Sequence, residues 1–411
     1  MKAIIYPSKL KGTISAPPSK SYTHRAIILA SLSSGKSLIH NPLISEDTNM
    51  TIAACRQLGV GIKVRNKLLE IKGVGGLFPN QNRVIKIFCG NSGTTARLIT
   101  AVATLSKEDV IIDGNSRLRH RPMKQLIEAL TKLEINIQSI KEKGFLPVQL
   151  RGSTSLGGKI TISGKDSSQF ISALLLTAPF AQKDIALKVI DLHSSPYIDI
   201  TIDLMSTFGV KVQKKGDTFF IKAGQKYIGR DYTVEGDYSS ASYFLLAETI
   251  TKSKIKITNL NSHSAQGDKY FLEILRNFNN KSKTRAIDLG NHPDIVPTVS
   301  ILASFIEGKT IIRNIGHLKH KESNRLKSLV EELNKMDIHS SYTSDSLLIT
   351  GNTPRGAIIN THSDHRIAMS FAIAGLHASG KTTINHAEVV NKSYPNFWAD
   401  LQKIGARVEL L

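Results

Sequence analysis

Apolar helical runs along the chain pass through a short turn into a small amphipathic strand, and this passage recurs. Gln57–Val64 (QLGVGIKV), Lys132–Gln138 (KLEINIQ) and Thr207–Gln213 (TFGVKVQ) place Val60, Ile135 and Val210 at intervals of 75 residues. Looser counterparts follow in ILRNFNNKSK, LNKMDIHS and KIGARVEL, so the passage is written six times, as three plus three. A second landmark alternates with it: a polar turn, a strand, and a polar corner where a helix can begin. SSGKSLIHN, LSKEDVIIDG, AQKDIALKVIDLHS, TKSKIKITNLNS, EGKTIIRNIGH and SGKTTINHAE all have this form. The module is helix, lysine-containing turn, strand, polar corner and helix, with further strands between, and it predicts an α/β fold with internal repetition.

Repetition also disposes of a misleading motif. Gly375–Thr382 reads GLHASGKT, a formal match to the phosphate loop of nucleotide triphosphatases. A true phosphate loop follows a strand and opens a helix, whereas this one follows the helical run IAMSFAIAGL and opens the strand TTINHA. Related turns at Gly35 and Gly308 carry Ala30 and Ala303 where the first glycine should stand.

At 411 residues the chain is long enough for two or three domains, and 41% apolar with 21% charged residues is ordinary globular composition. The departure is in the charge: 54 Lys and Arg against 33 Asp and Glu give +21, which directs attention to anionic partners. Two cysteines, Cys55 and Cys89, cannot form a dense disulfide framework, so a reducing compartment is expected and the two thiols read as small buried side chains. The start, MKAIIYPSKLKGTISAPPSK, lacks the apolar core of a signal peptide, and FISALLLTAPFA falls short of a membrane span. A cytoplasmic, monomeric protein with no membrane association is expected.

Candidate anion sites gather at the polar corners. PPSKSYTHRAIILAS sets Lys20, Ser21 and Arg25 on the first turns of a helix that starts after Pro17 and Pro18, where unpaired backbone N–H groups favour an anion. In FCGNSGTTARLITAVATL, Gly90, Asn91, Gly93 and Thr94 precede an apolar helix carrying Arg97, and glycine lets an anion approach backbone amides. DGNSRLRHRPMKQLIEAL brings Arg117, Arg119 and Arg121 before a helix opened at Pro122. GKDSSQFISALLL adds Ser167, Ser168 and Gln169, and HSSPYIDITIDLM adds Ser194 and Tyr197. Each segment taken singly fits a capped helix equally well; their recurrence favours anion binding.

The second half supplies acids as well. Asp294 lies in GNHPDIVPTVS, while Lys321, Glu322 and Arg325 lie in LKHKESNRLKSLVEEL, where the two bases, four apart, are expected on one helical face. THSDHRIAMSFAIAG adds Asp364, His365 and Arg366, and VVNKSYPNFWADL adds Lys392. Acids set among anion-binding bases can move protons. His362, Asp364 and His365 do not have the HExxH spacing, and local hydrogen bonding accounts for them better than a metal does.

The ordered series PSKSYTHRA, GNSGTTAR, RHRPM, SSQF, SPYIDIT, HPD, KESNR, SDHRIAM and NKSYPNF resembles the 3-phosphoshikimate 1-carboxyvinyltransferases (5-enolpyruvylshikimate-3-phosphate synthases) of the enolpyruvyl transferase family, over nearly the whole chain. The resemblance implies two pseudo-threefold domains of three α/β modules each, with the active site in the cleft between them. It also places the first strand with the second half, so the expected domains are 1–14 with 230–411, and 15–229. The implied reaction transfers the enolpyruvyl group of phosphoenolpyruvate to the 5-hydroxyl of shikimate 3-phosphate, a step of aromatic amino-acid biosynthesis, by addition and elimination, with no metal or organic cofactor.

By the same resemblance, Lys20, Ser21, Arg25, Ser167, Ser168, Gln169, Ser194, Tyr197, Asp294, His317 and Lys321 belong to the shikimate 3-phosphate set. Lys20, Asn91, Gly93, Thr94, Arg121, Gln169 and Lys392 cradle phosphoenolpyruvate, with Arg325 and Arg366 on its carboxylate. Glu322 is implied to serve the methylene carbon, Asp294 the acceptor hydroxyl, and Lys20 the departing phosphate. His317 stands where the family commonly has asparagine, and imidazole cannot reproduce both amide functions.

Two alternatives are weaker. The related transferase acting on UDP-N-acetylglucosamine typically has asparagine after the early lysine and a cysteine in its arginine-bearing loop, where this chain has Ser21 and RLRHRPM. A nucleic-acid-binding protein would rest on charge alone, since Trp398 stands in an isolated FWADL rather than a stacking ladder.

Overall fold

A computed structural model describes residues 1–152, 157–278 and 283–411. The chain divides into two compact units, 1–17 with 236–411, and 18–235. These limits differ from Ser15 and Arg230, and strand pairing is the reason. β1 (Lys2–Ile5) and β2 (Lys11–Ser15) open the chain, and β2 stays in its sheet as far as Ser15, opposite Thr258. At the other limit, Asp231–Thr233 is still paired with Leu38–His40 of the second unit.

The unit 18–235 contains three modules. The first has α1 (Lys20–Leu32), β3 (Lys36–His40), α2 (Glu46–Gln57), β4 (Gly61–Arg65) and β5 (Leu68–Lys72). The second has β6 (Ile85–Phe88), α3 (Gly93–Val102), β7 (Val110–Asp113), the short α4 (Ser116–Arg119), α5 (Lys124–Lys132), β8 (Ile137–Ser139) and β9 (Val148–Leu150). The third has β10 (Gly158–Ser163), α6 (Gln169–Thr177), β11 (Ile185–Ile190), α7 (Pro196–Thr207), β12 (Gln213–Lys215) and β13 (Thr218–Ile221), and β14 (Asp231–Thr233) returns to the first. The sheets run β14-β3-β5-β4, β6-β7-β9-β8 and β10-β11-β13-β12. In each, the first pair is parallel and the rest antiparallel.

The other unit repeats the scheme with α8 (Tyr238–Thr251), β15 (Lys254–Thr258), α9 (Tyr270–Asn277), β16 (Thr284–Asp288), α10 (Val296–Ser304), β17 (Gly308–Arg313), α11 (Arg325–Lys335), β18 (Ser340–Tyr342) and β19 (Ser346–Gly351). It ends with β20 (Ile358–Asn360), α12 (His365–Gly375), β21 (Thr382–Asn385), α13 (Phe397–Lys403) and β22 (Val408–Leu410). Its sheets are β16-β17-β19-β18, β20-β21-β1-β22 and the parallel pair β15-β2. Residues 279–282 of the expected copy ILRNFNNKSK lie outside the described residues. The six polar-turn strands are β3, β7, β11, β15, β17 and β21. GLHASGKT joins the end of α12 to the start of β21, a helix-to-strand turn.

The 75-residue spacing has a local cause. After α2, α5, α7, α11 and α13, one residue turns left-handed: Gly59, Glu134, Gly209, Asp337 and Gly405, with φ between 64° and 96°. The next residue then donates its N–H five positions back, Val60 to Cys55, Ile135 to Leu130, Val210 to Met205, Ile338 to Leu333 and Ala406 to Leu401. This is the Schellman closure, which satisfies a terminal carbonyl and buries the apolar residue beyond it. Val60, Ile135, Val210, Ile338 and Ala406 are accordingly all buried.

Other helices are apolar on every side and must be enclosed. Ten consecutive residues of α12 beyond His365 are buried, and α8, α10 and α12 pack on one another, with a Ser242–Thr298 hydroxyl contact of 3.0 Å between the first two. In the other unit α1 packs on α2 and α7, and α3 packs on α2 and α6. The N-termini of these enclosed helices are where polar chemistry collects. Ser19 caps α1, Ser92 caps α3, Asp237 caps α8 and Asp364 caps α12. No described helix is long and apolar enough to cross a membrane. Ser92 is buried and accepts from the Thr95 amide, so Ser92→Ala is expected to cost about 1 kcal/mol. A lower urea midpoint at unchanged m-value would register that loss.

Candidate active site

In the unit 18–235, the helix starts bring the expected residues into two groups. Lys20, the first residue of α1, places Nζ 3.1 Å from Oδ2 of Asp47 on α2, and both side chains are largely buried. Asp47 is absent from the sequence-derived set, since nothing in SEDTNMT distinguishes it from a first-turn acid. Arg25 lies one turn on, fully buried, with Nε on Thr201 (2.7 Å) and the terminal nitrogens on the Ser21 carbonyl, Ser172 Oγ and the Tyr197 carbonyl. Burial lowers its pKa to about 10. Arg25 thus ties α1 to α6 and α7, engaging Ser21 and Tyr197 through their backbones. Ser194, in the left-handed region at φ 59°, stands two residues before α7.

The second group centres on α3. Gly93 opens this helix, and a Cβ there would lie 2.6 Å from Cζ of Arg121, so the glycine makes room for a buried guanidinium. Asn91 precedes the Ser92 cap. Thr94 accepts from Nε2 of Gln169 at 2.8 Å. Arg97, outside the binding residues that the resemblance implies, donates to Gln169 Oε1 (2.9 Å), Ser167 Oγ (3.2 Å) and the Pro122 carbonyl, over the Phe170 ring. It is therefore the tether that gathers Thr94, Ser167 and Gln169 into one place. Ser168 takes the N-cap position of α6 without a side-chain cap bond.

Three local expectations change. Helix α5 begins at Lys124 rather than Pro122, because Met123 (φ −124°, ψ −3°) is not helical. Arg119 pairs with Asp113, outside the anion group. Lys321 does not share a helical face with Arg325: it is extended beyond the 3-10 turn Gly316–His320 that holds His317, and α11 starts at Arg325 behind its Asn324 cap.

In the unit 1–17 with 236–411, Arg325 is 1% exposed and reaches three carboxylates: Asp364 through Nε (2.8 Å), Glu322 through Nη2 (2.8 Å) and Asp294 through Nη1 (3.2 Å). Burial alone would lower its pKa, but Asp364, Glu322 and Asp294 outweigh it and drive the pKa upward. Arg366 meets the other oxygen of Asp294 at 2.6 Å and also donates to the Asp294 carbonyl and the Tyr243 hydroxyl. Lys392, buried at the end of the turn Ala387–Lys392, lies 3.7 Å from Glu322. The two arginines and the lysine thus interleave with the two acids expected to move protons.

Asp268 has no distinguishing setting in the sequence, being one acid in AQGDKY. It is buried, bonded by the Ser239 hydroxyl, and its pKa is pushed up to about 7 by burial first and the nearby Asp294 second. Among the described residues, Glu331, Glu332 and His362 are close enough to share a metal, but Lys335 sits 2.8 Å from both oxygens of Glu332 and supplies the positive charge itself. Burial raises the Cys55 and Cys89 thiols to about 12, which makes them poor nucleophiles.

A family model described as EPSP synthase (3-phosphoshikimate 1-carboxyvinyltransferase) matches residues 4–401. The chain belongs to the EPSP synthase family. The 3-phosphoshikimate 1-carboxyvinyltransferase of Methanosarcina mazei is 41% identical over all of this chain and 99% of its own length, and that of Methanocaldococcus jannaschii is 40% identical over 98% and 97%. A solved EPSP synthase from Acinetobacter baumannii superposes with a TM-score of 0.84 at 26% identity over the full length of both chains. EPSP synthases are transferases that move the enolpyruvyl group of phosphoenolpyruvate to shikimate 3-phosphate in the shikimate pathway, and this enzyme catalyses that reaction.

Gly93→Ala is expected to push the Arg121 guanidinium aside and raise KM for phosphoenolpyruvate by about tenfold or more, with the thermal midpoint little changed because a flexible side chain gives way. Steady-state kinetics and a melting curve check both parts. For Asp268, an acid with a folded pKa above its unfolded value of about 3.9 costs nothing while both states are protonated. The cost grows as pH rises from there towards about 7. Stability should fall across that window, and Asp268→Asn should flatten the fall in urea midpoints between about pH 4 and pH 7.

Proposed function

We propose that the reaction proceeds by addition and elimination at the 5-hydroxyl of shikimate 3-phosphate, with the residues above in defined roles. Ser21, Arg25, Ser167, Ser168, Gln169, Ser194, Tyr197, His317 and Lys321 receive shikimate 3-phosphate. Lys20, Asn91, Gly93, Thr94, Arg121, Gln169 and Lys392 receive phosphoenolpyruvate, chiefly its phosphate, while Arg325 and Arg366 take its carboxylate. Asp294 accepts the hydroxyl proton as the oxygen bonds to C2 of phosphoenolpyruvate, and the C2–C3 π pair takes a proton from Glu322. In the second half, Glu322 removes a proton from C3, the double bond re-forms, and the C2–phosphate bond breaks to release inorganic phosphate beside Lys20.

The observation that carries this reading is the buried Arg325, which contacts both Glu322 and Asp294. An incoming carboxylate competes with those two acids for the same guanidinium donors, so binding substrate frees the groups that must then exchange protons. Tyr243, Asp294 and Arg366 lie within the same network, which fixes the acids' positions relative to the arginines.

Inorganic phosphate should appear with phosphoenolpyruvate and shikimate 3-phosphate together and with neither alone. Glu322→Gln should lower kcat by about a hundredfold or more and abolish hydrogen exchange from solvent into the methylene of phosphoenolpyruvate. Undiminished exchange in that variant would remove Glu322 from the proton transfer.

A further inference from the structure

The loop that joins β20 to α12 carries Asp364 and leads into the first turn of α12, where Arg366 stands, and it is backbone-strained. His362 (φ 50°) and Ser363 (φ 56°) are consecutive left-handed residues without a glycine. Such conformations cost on the order of 1–3 kcal/mol each and persist only where the surroundings impose them. The surroundings here are α11. Its Glu332 is completely buried and accepts from the Asn360 amide (3.0 Å), from Nε2 of His362 (2.7 Å) and from Lys335 (2.8 Å). Two turns earlier on the same helix, Arg325 holds Asp364. Helix α11 therefore grips the loop at both ends, once at the strand exit and turn, once at the cap of α12.

We propose that Glu332 and His362 are positioning residues for the carboxylate-binding arginines: their contact fixes the left-handed turn that presents Arg366 and sets Asp364 against Arg325. Neither residue need touch substrate. The charge at Glu332 is already answered by Lys335, and its oxygens are occupied by the Asn360 amide and the His362 ring on the loop. Arg366, the second residue of α12, donates its amide to the Asp364 cap (2.9 Å), so a shift of the turn moves cap and guanidinium together. The proposal rests on the assignment of Arg325 and Arg366 to the phosphoenolpyruvate carboxylate.

His362→Leu removes the donor, His362→Gln keeps one, and Glu332→Ala removes the acceptor. His362→Leu and Glu332→Ala are expected to raise KM for phosphoenolpyruvate about tenfold, the scale of one hydrogen bond to a charged group, with kcat and KM for shikimate 3-phosphate within about twofold. His362→Gln should restore most of the loss. Amide hydrogen exchange over residues 360–366 should rise in the first two variants and stay near the parent in the third. Unchanged exchange in His362→Leu would overturn the clamp, and so would a proportional loss of active enzyme with both KM values intact. Arg366→Gln, measured beside them, separates the two claims: if it leaves KM for phosphoenolpyruvate unmoved, the carboxylate assignment fails. If it raises KM while His362→Leu does not, the positioning role fails.

Discussion

A helix that is apolar all round has only its ends available for polar groups, and this constraint organises both units. Enclosing α1, α3, α8 and α12 in protein leaves their first turns as the places where unpaired N–H groups, caps and charged side chains concur. Lys20, Gly93, Thr94 and Arg366 are all first-turn residues of enclosed helices. Their positions follow from packing before any ligand is considered, and the rigid core behind them keeps them there.

The two units use different chemistry on that common frame. In 18–235, Arg25 meets Thr201, Ser172 and two backbone oxygens, and Arg97 meets Ser167, Gln169 and the Pro122 carbonyl. These contacts are to uncharged groups and hold each guanidinium in place by hydrogen bonds. In the other unit Arg325 and Arg366 are met by carboxylates. There the positive charge is balanced by groups that can carry protons, which suits chemistry at a carbon flanked by a carboxylate. The surplus of +21 is thus a poor guide to the site, because Arg325, buried as deeply as Arg25, is met by three carboxylates.

Sequence pattern conveys this fold well wherever one local event repeats. The 75-residue interval marks the left-handed closures at Gly59, Glu134 and Gly209, each followed by a buried Val or Ile, and the six polar-turn strands all form. Motif order likewise points to Asp294, Glu322, Arg325 and Arg366, which the fold brings together from separate loops. What the sequence does not expose are partners without a distinctive setting. Asp47, Asp268 and Glu332 are acids in ordinary segments, and only tertiary packing gives each its role. The helix near Pro122 starts later than the proline suggests, because the Met123 amide is turned to the Gly144 carbonyl, and in KESNR the Asn324 cap on the Lys327 amide starts the helix only at Arg325.

The first strand of the chain lies between β21 and β22, so Ala3 faces Ile384 on one side and Leu410 on the other. During synthesis this has a consequence for timing. Residues 18–235 emerge as a complete unit with all their strand partners, while β1 must wait for nearly the whole chain before either neighbour exists. The apolar residues of β1, Ala3 and Ile5, therefore stay uncovered on the ribosome until β21 and β22 have been made and flank the strand on both sides.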